Sequence, residues 1–272
     1  MGYLQGEKPI SISKLLSMHA EGEKITMLTA YDSTMSALLN RCGVEAILIG
    51  DSLGNVIQGH SSTTHVTVEH VVYHTTCVAH ANTRAFLIAD LPFASYGDPI
   101  QALDSAAELM RAGADMVKLE GGGEWQVEII RYLVERSVPV CGHLGLLPQS
   151  VHVLGGYKVQ GKSKDAANLM LEQALACEEA GAQILVLEAI PSSLGKNITE
   201  SLSIPTIGIG AGPDCSGQVL VLQDMLGISP GKPPKFVKNF MNGHTSVEDA
   251  VKAYVREVKS CKFPEPEHGF AG

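Results

Sequence analysis

The sequence predicts an α/β fold, a single (β/α)8 TIM barrel over residues 1–272 with an N-terminal helix before it and an extra helix after it. Short apolar segments typical of buried strands alternate about eight times with helical segments, and Gly or Pro marks most helix-to-strand turns. Aromatic residues form only 5% of the chain and hydrophobic residues 45%. That balance favours buried parallel strands packed by small and branched aliphatic side chains.

The first half of the chain contains a predicted N-terminal helix and four strand–helix units. The helix covers residues 11–20 and is capped by Ser11 or Ser13. The predicted strands cover residues 24–30, 46–50, 86–89 and 116–120. The helices that follow start at Asp32, Thr67, Asp98 and Glu124. Residues 53–66 are polar and predicted to be irregular.

The second half is predicted to complete the barrel and to end in a tail. Its predicted strands cover residues 139–142, 184–187, 205–210 and 219–222. Ser163 is expected to cap a long helix to residue 180, and a short helix is expected near 199–202. Residues 229–234 break the pattern, so 230–272 form a tail. In it, a capping box at residues 245–248 starts a helix to about 259, and the last dozen residues are predicted to be frayed.

Composition excludes several classes of function. The net charge is −9, and no run of basic residues interleaved with aromatic ones appears, which argues against a nucleic-acid partner. No apolar segment approaches the length of a membrane span. Residues 1–14 lack the profile of a signal peptide, and the six cysteines are scattered. We therefore expect a cytoplasmic protein; the sequence is also compatible with removal of an organellar presequence.

Polar residues end five successive predicted strands. In a parallel barrel the carboxyl ends of the strands share one face, where catalytic residues gather. A strand also places residues two apart on the same side, so Lys118 points the same way as the residue that ends its strand. The five strand-end residues are Asp51, Asp90, Glu120, His143 and Glu188.

Carboxylates that converge at one barrel mouth repel one another unless a cation lies between them. The hard divalent cation best suited to carboxylate oxygens, substrate and water is Mg²⁺. Lys118 would then provide positive charge for an anionic substrate. The sequence therefore predicts a magnesium site and an anionic ligand at the mouth of the barrel.

Each of these residues also has a simpler interpretation. Asp51, Asp90 and Glu120 could cap helices or face solvent in loops. Lys118 could form an ion pair with Glu120 and do nothing else. His143 could simply form a hydrogen bond within the barrel mouth, and Glu188 could cap a turn.

Two other patterns carry less weight. His70 and His74 lie one helical turn apart, with Cys77 and His80 nearby, and could bind zinc. We favour a solvated helix face, because the spacing fixes no third ligand. Residues 208–212 resemble a dinucleotide-binding loop, but no helix starts there and the spacing is incomplete. A tight rim of the barrel or a small anion-binding nest is the better interpretation.

Seven segments, in order, resemble the ketopantoate hydroxymethyltransferase family of the phosphoenolpyruvate/pyruvate barrel superfamily. They are Thr29-Ala30-Tyr31-Asp32, Gly50-Asp51-Ser52-Leu53-Gly54, Ala89-Asp90-Leu91-Pro92-Phe93, Val117-Lys118-Leu119-Glu120-Gly121, Gly142-His143-Leu144-Gly145-Leu146, Leu187-Glu188-Ala189-Ile190-Pro191 and Ile207-Gly208-Ile209-Gly210-Ala211-Gly212. The resemblance runs from about Ile10 to about Tyr254. One departure is His65-Val66-Thr67, where the family often has Pro-Val-Thr.

The resemblance implies a metal centre and a general base. Asp51 and Asp90 would be ligands of Mg²⁺, and Glu120 would be the third ligand, partly through water. Glu188 would be the general base.

The resemblance also implies the residues that bind the substrate. Asp51, Ser52, Asp90 and Lys118 would surround the 2-oxo acid, and His143 would line the same pocket.

Members of this family transfer a hydroxymethyl group from 5,10-methylenetetrahydrofolate to 3-methyl-2-oxobutanoate. The product is 2-dehydropantoate, on the route to pantothenate and coenzyme A, and the family commonly assembles as a homodecamer. Two alternatives remain open. One is another Mg²⁺-dependent, enolate-forming carbon–carbon lyase of the superfamily, although no cysteine follows a strand beside an acidic partner as such a lyase would favour. The other is a catalytically silent barrel that acts as a scaffold.

Overall fold

The computed structural model describes residues 9–272, and eight parallel strands in it close into a barrel. Each strand pairs with the next along the chain, and the last pairs with the first, which confirms the predicted fold class. The strands are β1 Ile25–Thr29, β2 Ala46–Ile49, β3 Phe86–Asp90, β4 Met116–Glu120, β5 Val140–Gly145, β6 Ile184–Glu188, β7 Thr206–Ile209 and β8 Gly217–Leu220. Residues 1–8, most of the segment considered for a signal peptide, lie outside the described residues.

Helices surround the barrel and connect its strands. They are α1 Ile12–Ala20, α2 Ser33–Arg41, α3 Leu53–Val56, α4 Val68–Ala81, α5 Pro99–Arg111, α6 Glu124–Val134, α7 Val151–Leu154, α8 Lys164–Glu179, α9 Ser192–Ser201, α10 Leu222–Met225 and α11 Val247–Lys259. The predicted side-chain caps at Asp32, Thr67, Asp98 and Ser163 are confirmed, and Ser11 rather than Ser13 caps α1. Each cap accepts a backbone N–H that has no partner within its helix.

The predicted boundaries of two strands are wrong. Strand β8 begins at Gly217, two residues before the predicted start, because Gly217 pairs with Ile25 of β1. A Cβ at Gly217 would collide with the carbonyl oxygen of Ile25, so glycine is required where the barrel closes. Strand β5 continues to Gly145, three residues beyond the prediction, which places His143 inside the strand and opposite Glu120 of β4.

Two connecting segments also differ from the prediction. Helix α9 starts at Ser192, seven residues before the predicted helix, because Leu194 and Ile198 lie one turn apart and are buried. Residues 53–66 are not wholly irregular, since they contain α3 and a 3₁₀ turn, Thr63–His65.

The C-terminal tail is more ordered than the sequence predicts. Ser246, not Thr245, caps α11 and accepts the N–H of Asp249 at 3.1 Å. The prediction that the last dozen residues are frayed is wrong: Phe263 is buried, and the Ser192 N–H donates to the Phe270 carbonyl at 3.0 Å. These contacts are long-range, so no local pattern reveals them.

Among residues 9–272, no helix is both long and apolar enough to span a membrane. All six cysteines lie in the described part of the chain and are free thiols.

Candidate active site

The polar strand ends converge at one mouth of the barrel, as the sequence predicts. A cavity of about 660 Å³ opens there. Six of the seven predicted site residues line it, namely Asp51, Ser52, Lys118, Glu120, His143 and Glu188. The seventh, Asp90, is buried beside them and contacts two of them. The strand-end pattern therefore brings all seven residues together.

Asp90 holds Lys118 in place. The Lys118 ammonium Nζ lies 3.1 Å from Asp90 Oδ1, and both side chains are 3% exposed. Asp90 Oδ2 accepts the backbone N–H of Asp51 at 2.9 Å. The ion pair that the sequence suggested between Lys118 and Glu120 is therefore replaced by one with Asp90, which lies beside Lys118 in the register of β3 and β4.

The carboxylates of the cavity outnumber its buried lysine. Burial raises the pKa of Asp51 well above its ordinary value, and repulsion from Glu120 and Asp90 acts in the same direction. Burial also raises the pKa of Glu120 to about 7, although Lys118 opposes that shift. Burial alone would lower the pKa of Lys118, but attraction to Asp90, Glu120 and Asp51 outweighs it and raises that pKa, so Lys118 stays charged.

His143 lies between the lysine and the predicted base. Its Nδ1 is 3.3 Å from Lys118 Nζ and 3.5 Å from Glu120 Oε1. Its Nε2 is 3.3 Å from Glu188 Oε2, a close polar contact that lacks the alignment of a hydrogen bond. Burial, reinforced by Lys118, lowers the pKa of His143 and keeps the ring neutral. Burial raises the pKa of Glu188, while His143 opposes that shift.

Ser52 enters the site from the loop after β2. Its hydroxyl is 2.8 Å from the hydroxyl of Tyr31, which follows β1 and is buried. Burial raises the pKa of Tyr31, so this phenol stays protonated and can donate a hydrogen bond. Ser52 precedes α3 without capping it through its side chain, which leaves its hydroxyl to face the cavity that it lines.

The zinc hypothesis for α4 has no support in the structure. His70 Nδ1 accepts the N–H of Thr67 in a capping box, and His74 Nδ1 lies 2.7 Å from the Tyr31 carbonyl oxygen. Within residues 9–272, no group of three or more His, Cys, Asp or Glu side chains is gathered closely enough to hold a metal by itself. The same result applies to the carboxylates of the barrel mouth.

The glycine-rich segment after β7 forms a tight rim of the barrel. Gly210 and Gly212 both have positive φ angles, of 67° and 89°. A Cβ at Gly210 would come 2.7 Å from the Phe236 ring, and one at Gly212 would come 2.6 Å from Ser192 Cβ. Close packing therefore explains these glycines.

Sequence reasoning missed several residues of the site. Gln149, on the 3₁₀ turn Pro148–Ser150, donates to Asp51 and Glu120, and its side chain accepts from Tyr96. Residues 229–236 and Phe270 of the tail line the cavity. Gln149 follows a proline in a short turn between elements, and no sequence spacing identifies it as a site residue.

The family of the chain follows from its sequence over almost its full length. The family model described as ketopantoate hydroxymethyltransferase matches residues 9–266. The chain belongs to the ketopantoate hydroxymethyltransferase family.

The sequences of two relatives in the ketopantoate hydroxymethyltransferase family are similar to this chain over nearly its whole length. The chain is 60% identical to a 3-methyl-2-oxobutanoate hydroxymethyltransferase of Burkholderia multivorans and 59% identical to 3-methyl-2-oxobutanoate hydroxymethyltransferase 1 of Burkholderia ambifaria. Each match covers 99% of this chain and 100% of the relative. Membership makes the chain an enzyme, a hydroxymethyltransferase of the pantothenate pathway.

A solved structure shows the same barrel at low sequence identity. The crystal structure of 2,3-dimethylmalate lyase, a member of the PEP mutase/isocitrate lyase superfamily, superposes with a TM-score of 0.59 at 16% identity. The match covers 77% of this chain and 80% of that one. At this level of identity the likeness shows the fold alone, a barrel of the same kind.

Among residues 9–272, no cysteine of the kind expected in a lyase lines the cavity. Cys141 of β5 lies next to Lys118 in the sheet but does not line the cavity. Burial raises the pKa of its thiol to about 12, so the reactive thiolate is scarce at neutral pH.

Proposed function

We propose that the chain transfers a hydroxymethyl group from 5,10-methylenetetrahydrofolate to 3-methyl-2-oxobutanoate and releases 2-dehydropantoate. One observation carries the proposal: the buried cation Lys118 and the carboxylate Glu188, whose pKa is raised, line one cavity. An anionic 2-oxo acid needs positive charge for binding and a base near its C3 proton. Both lie in the same mouth of the barrel, and family membership supports the acceptor.

The donor set of the cavity fits a hard divalent cation. Asp51, Asp90 and Glu120 are almost fully buried, and the repulsion between their negative charges is unfavourable without a cation. Their oxygen atoms are the ligands that Mg²⁺ prefers. Mg²⁺ commonly takes only one or two carboxylates and completes its octahedron with water and substrate. Asp51 would bind the ion from the wall of the cavity, Asp90 would bind it from directly behind that wall, and Glu120 would act through water.

A bound Mg²⁺ would polarise the keto group of the 2-oxo acid as a Lewis acid. Lys118 would hold the substrate carboxylate and stabilise negative charge that develops on the keto oxygen. Its partner Asp90 fixes the ammonium group at 3.1 Å, so its position is set before the substrate binds. The Ser52 hydroxyl, held by Tyr31 at 2.8 Å, would donate to the same substrate.

Glu188 would accept the C3 proton of the substrate at one of its carboxylate oxygens. Burial and repulsion from Glu120 favour the protonated form of Glu188, which strengthens it as a base. His143 would orient this carboxylate through the contact at Oε2. The C3 carbanion would then form a bond to the one-carbon unit of 5,10-methylenetetrahydrofolate. Both bonds from that carbon to the folate nitrogens break, water supplies the oxygen of the new hydroxyl group, and tetrahydrofolate leaves with a proton on each nitrogen, one from water and one from Glu188.

The cavity has room for a ligand larger than the 2-oxo acid. Its volume of about 660 Å³ lies within the range of pockets that hold drug-sized ligands. Exposed residues in its lining include Tyr157, Lys158 and Lys232. We place the folate donor on this exposed side of the cavity.

Two further parts of the proposal concern assembly, which rests on the family resemblance, and location, which rests on the cysteines. The chain would assemble as a homodecamer, and sedimentation analysis of the 28.9 kDa chain would reveal the number of copies. It would act in the cytoplasm, where six free cysteines are chemically compatible with a reducing environment.

Deuterium exchange at C3 of 3-methyl-2-oxobutanoate tests the proton-transfer step without folate. We expect exchange in D₂O with Mg²⁺ and none with EDTA. Glu188→Gln should slow the exchange by roughly 10²- to 10⁴-fold and leave substrate binding largely unchanged. Glu200→Gln alters a glutamate whose side chain is 67% exposed and serves as the matched control.

The outcomes separate the proposal from its alternatives. Unchanged exchange in Glu188→Gln would remove Glu188 from the role of base. No exchange with Mg²⁺, even after tetrahydrofolate is added, would favour a catalytically silent barrel. Full turnover with 5,10-methylenetetrahydrofolate should give 2-dehydropantoate, detected by mass spectrometry. Cleavage of a 2-hydroxy acid without folate would favour a lyase.

A further inference from the structure

Gln149 is a buried glutamine at the edge of the carboxylate cluster. Its side chain is almost fully enclosed and both of its polar atoms have partners. Nε2 donates to Asp51 Oδ2 at 2.9 Å and to the Leu91 carbonyl at 3.0 Å, and Oε1 accepts from the Tyr96 hydroxyl at 2.6 Å. Gln149 does not line the cavity, so it contacts Asp51 and Glu120 from the side away from the cavity.

These partners define the orientation of the Gln149 amide. A backbone carbonyl such as that of Leu91 can only accept, so the NH₂ group must face it and Asp51. The Tyr96 hydroxyl supplies the donor that the amide oxygen requires. Burial raises the pKa of Tyr96, which keeps that hydroxyl protonated. A flipped amide would place oxygen against two acceptors, so the observed orientation is the stable one.

The same residue also holds Glu120. The backbone N–H of Gln149 donates to Glu120 Oε2 at 3.0 Å, and the backbone N–H of Glu120 approaches the Tyr96 hydroxyl at 3.4 Å. One oxygen of Asp51 and one of Glu120 are therefore occupied by Gln149. Both carboxylates line the cavity, and each keeps a second oxygen that Gln149 does not contact.

We propose that Gln149 is a positioning residue that holds Asp51 and Glu120 in the orientation required to bind a divalent cation. Two buried carboxylates of like charge repel and would otherwise turn apart. Donors fixed behind them oppose that motion and favour their ionised forms. This inference rests on the metal site of the proposed function and adds a residue that touches neither metal nor substrate.

Direct titration with Mn²⁺, followed by electron paramagnetic resonance of the free ion, tests the inference without any reaction. Gln149→Met removes the amide at similar size and should weaken Mn²⁺ binding by roughly 10- to 100-fold. Tyr96→Phe removes the hydroxyl that holds the amide oxygen and that lies 3.4 Å from the Glu120 backbone nitrogen, and it should weaken binding less, in the same direction. The matched control is Gln218→Met: Gln218 is also buried, but its amide donates to the Gly212 carbonyl, and its loss should leave Mn²⁺ affinity unchanged.

Thermal unfolding in EDTA, run on the same variants, separates positioning from structural support. If Gln149 had a purely structural role, its replacement would lower the melting temperature without changing Mn²⁺ affinity, as we expect for Gln218→Met. Gln149→Met that folds and binds Mn²⁺ as tightly as the unaltered chain would overturn this inference and leave the proposed function standing. If Gln149→Met does not fold, unchanged affinity in Tyr96→Phe overturns it. If the unaltered chain binds no Mn²⁺, or if Asp51→Asn binds it equally well, the proposed metal site and this inference both fail.

Discussion

His143 Nε2 lies 3.3 Å from Glu188 Oε2, and the other ring nitrogen of His143 lies 3.3 Å from the ammonium group of Lys118. An ammonium group can only donate, so Nδ1 accepts and the neutral ring carries its proton on Nε2. The proton is therefore on the nitrogen nearer to Glu188. His143 thus connects the cation proposed to bind substrate with the carboxylate proposed to act as base.

This relationship predicts a pH dependence of C3 exchange. Only ionised Glu188 accepts a proton, and its pKa is raised by burial, so the rate should rise with pH around an apparent pKa above the ordinary value of glutamate. His143→Asn removes a contact that lowers this pKa, so the acidic limb should move to higher pH. The measurement is the exchange rate across pH, with His80→Asn, an exposed residue of α4, as control. If the acidic limb of the pH profile of His143→Asn lay at the same or lower pH than that of the unaltered chain, the assigned contact between His143 and Glu188 would be contradicted.

Replacement of Lys118 should weaken substrate binding and slow the reaction. Lys118→Met removes the buried ammonium group that we propose binds the 2-oxo acid, and we expect a loss in kcat/KM of roughly 10²- to 10³-fold with a higher KM for the acid. Steady-state kinetics measure both constants, and circular dichroism verifies that the variant folds. Lys196→Met removes a lysine whose side chain is 54% exposed and should change neither. Unaltered kinetics in Lys118→Met would exclude the lysine from the site.

In EDTA, Glu120 should make the folded state less stable as pH rises. Burial raises the pKa of Glu120 to about 7 from its ordinary 4.5, so the folded state binds this proton more tightly than the unfolded state. Its contribution to the free energy of unfolding is full below pH 4.5 and is lost as the pH rises through about 7.

Urea denaturation of the unaltered chain and of Glu120→Gln at several pH values measures this effect. The variant has no titrating group at this position. The free energy of unfolding of the unaltered chain should therefore fall relative to that of the variant as the pH rises from 4.5 through about 7. Mg²⁺ should reverse the loss, because it stabilises the ionised carboxylate. A difference between the two proteins that stays constant with pH would disprove the raised pKa.

Tyr254 of α11 should stabilise the closure of the barrel. Its ring is fully buried, and its single O–H is shared between the Met27 carbonyl of β1 at 3.0 Å and the Gln218 carbonyl of β8 at 2.8 Å. Tyr254→Phe should lower the free energy of unfolding by about 1–3 kcal/mol, measured from the urea midpoint at an unchanged m-value. Tyr73→Phe alters a tyrosine that is 66% exposed and should have little effect. Equal midpoints for Tyr254→Phe and the unaltered chain would rule out this role.

Local patterns in the sequence predict most strands and helix starts. Strand β4 and the caps at Asp32 and Asp98 follow from apolar runs and from side chains able to accept the first N–H groups. The boundaries that differ depend on distant residues: Gly217 begins β8 because Ile25 lies against it, and Phe270 is held by Ser192. Segment-by-segment reasoning has no access to such contacts.

The sequence by itself determined that polar residues would meet at one mouth of the barrel, because parallel strands carry their carboxyl ends to the same face. Only the tertiary structure decided which residues pair there. Lys118 and Glu120, two apart on β4, are separated by roughly 6.6 Å along the strand, whereas the register of β3 and β4 puts Asp90 directly beside Lys118. Gln149 reaches Asp51 across 98 positions of the chain, since closure of the barrel, and no local pattern, brings the turn after β5 to the end of β2.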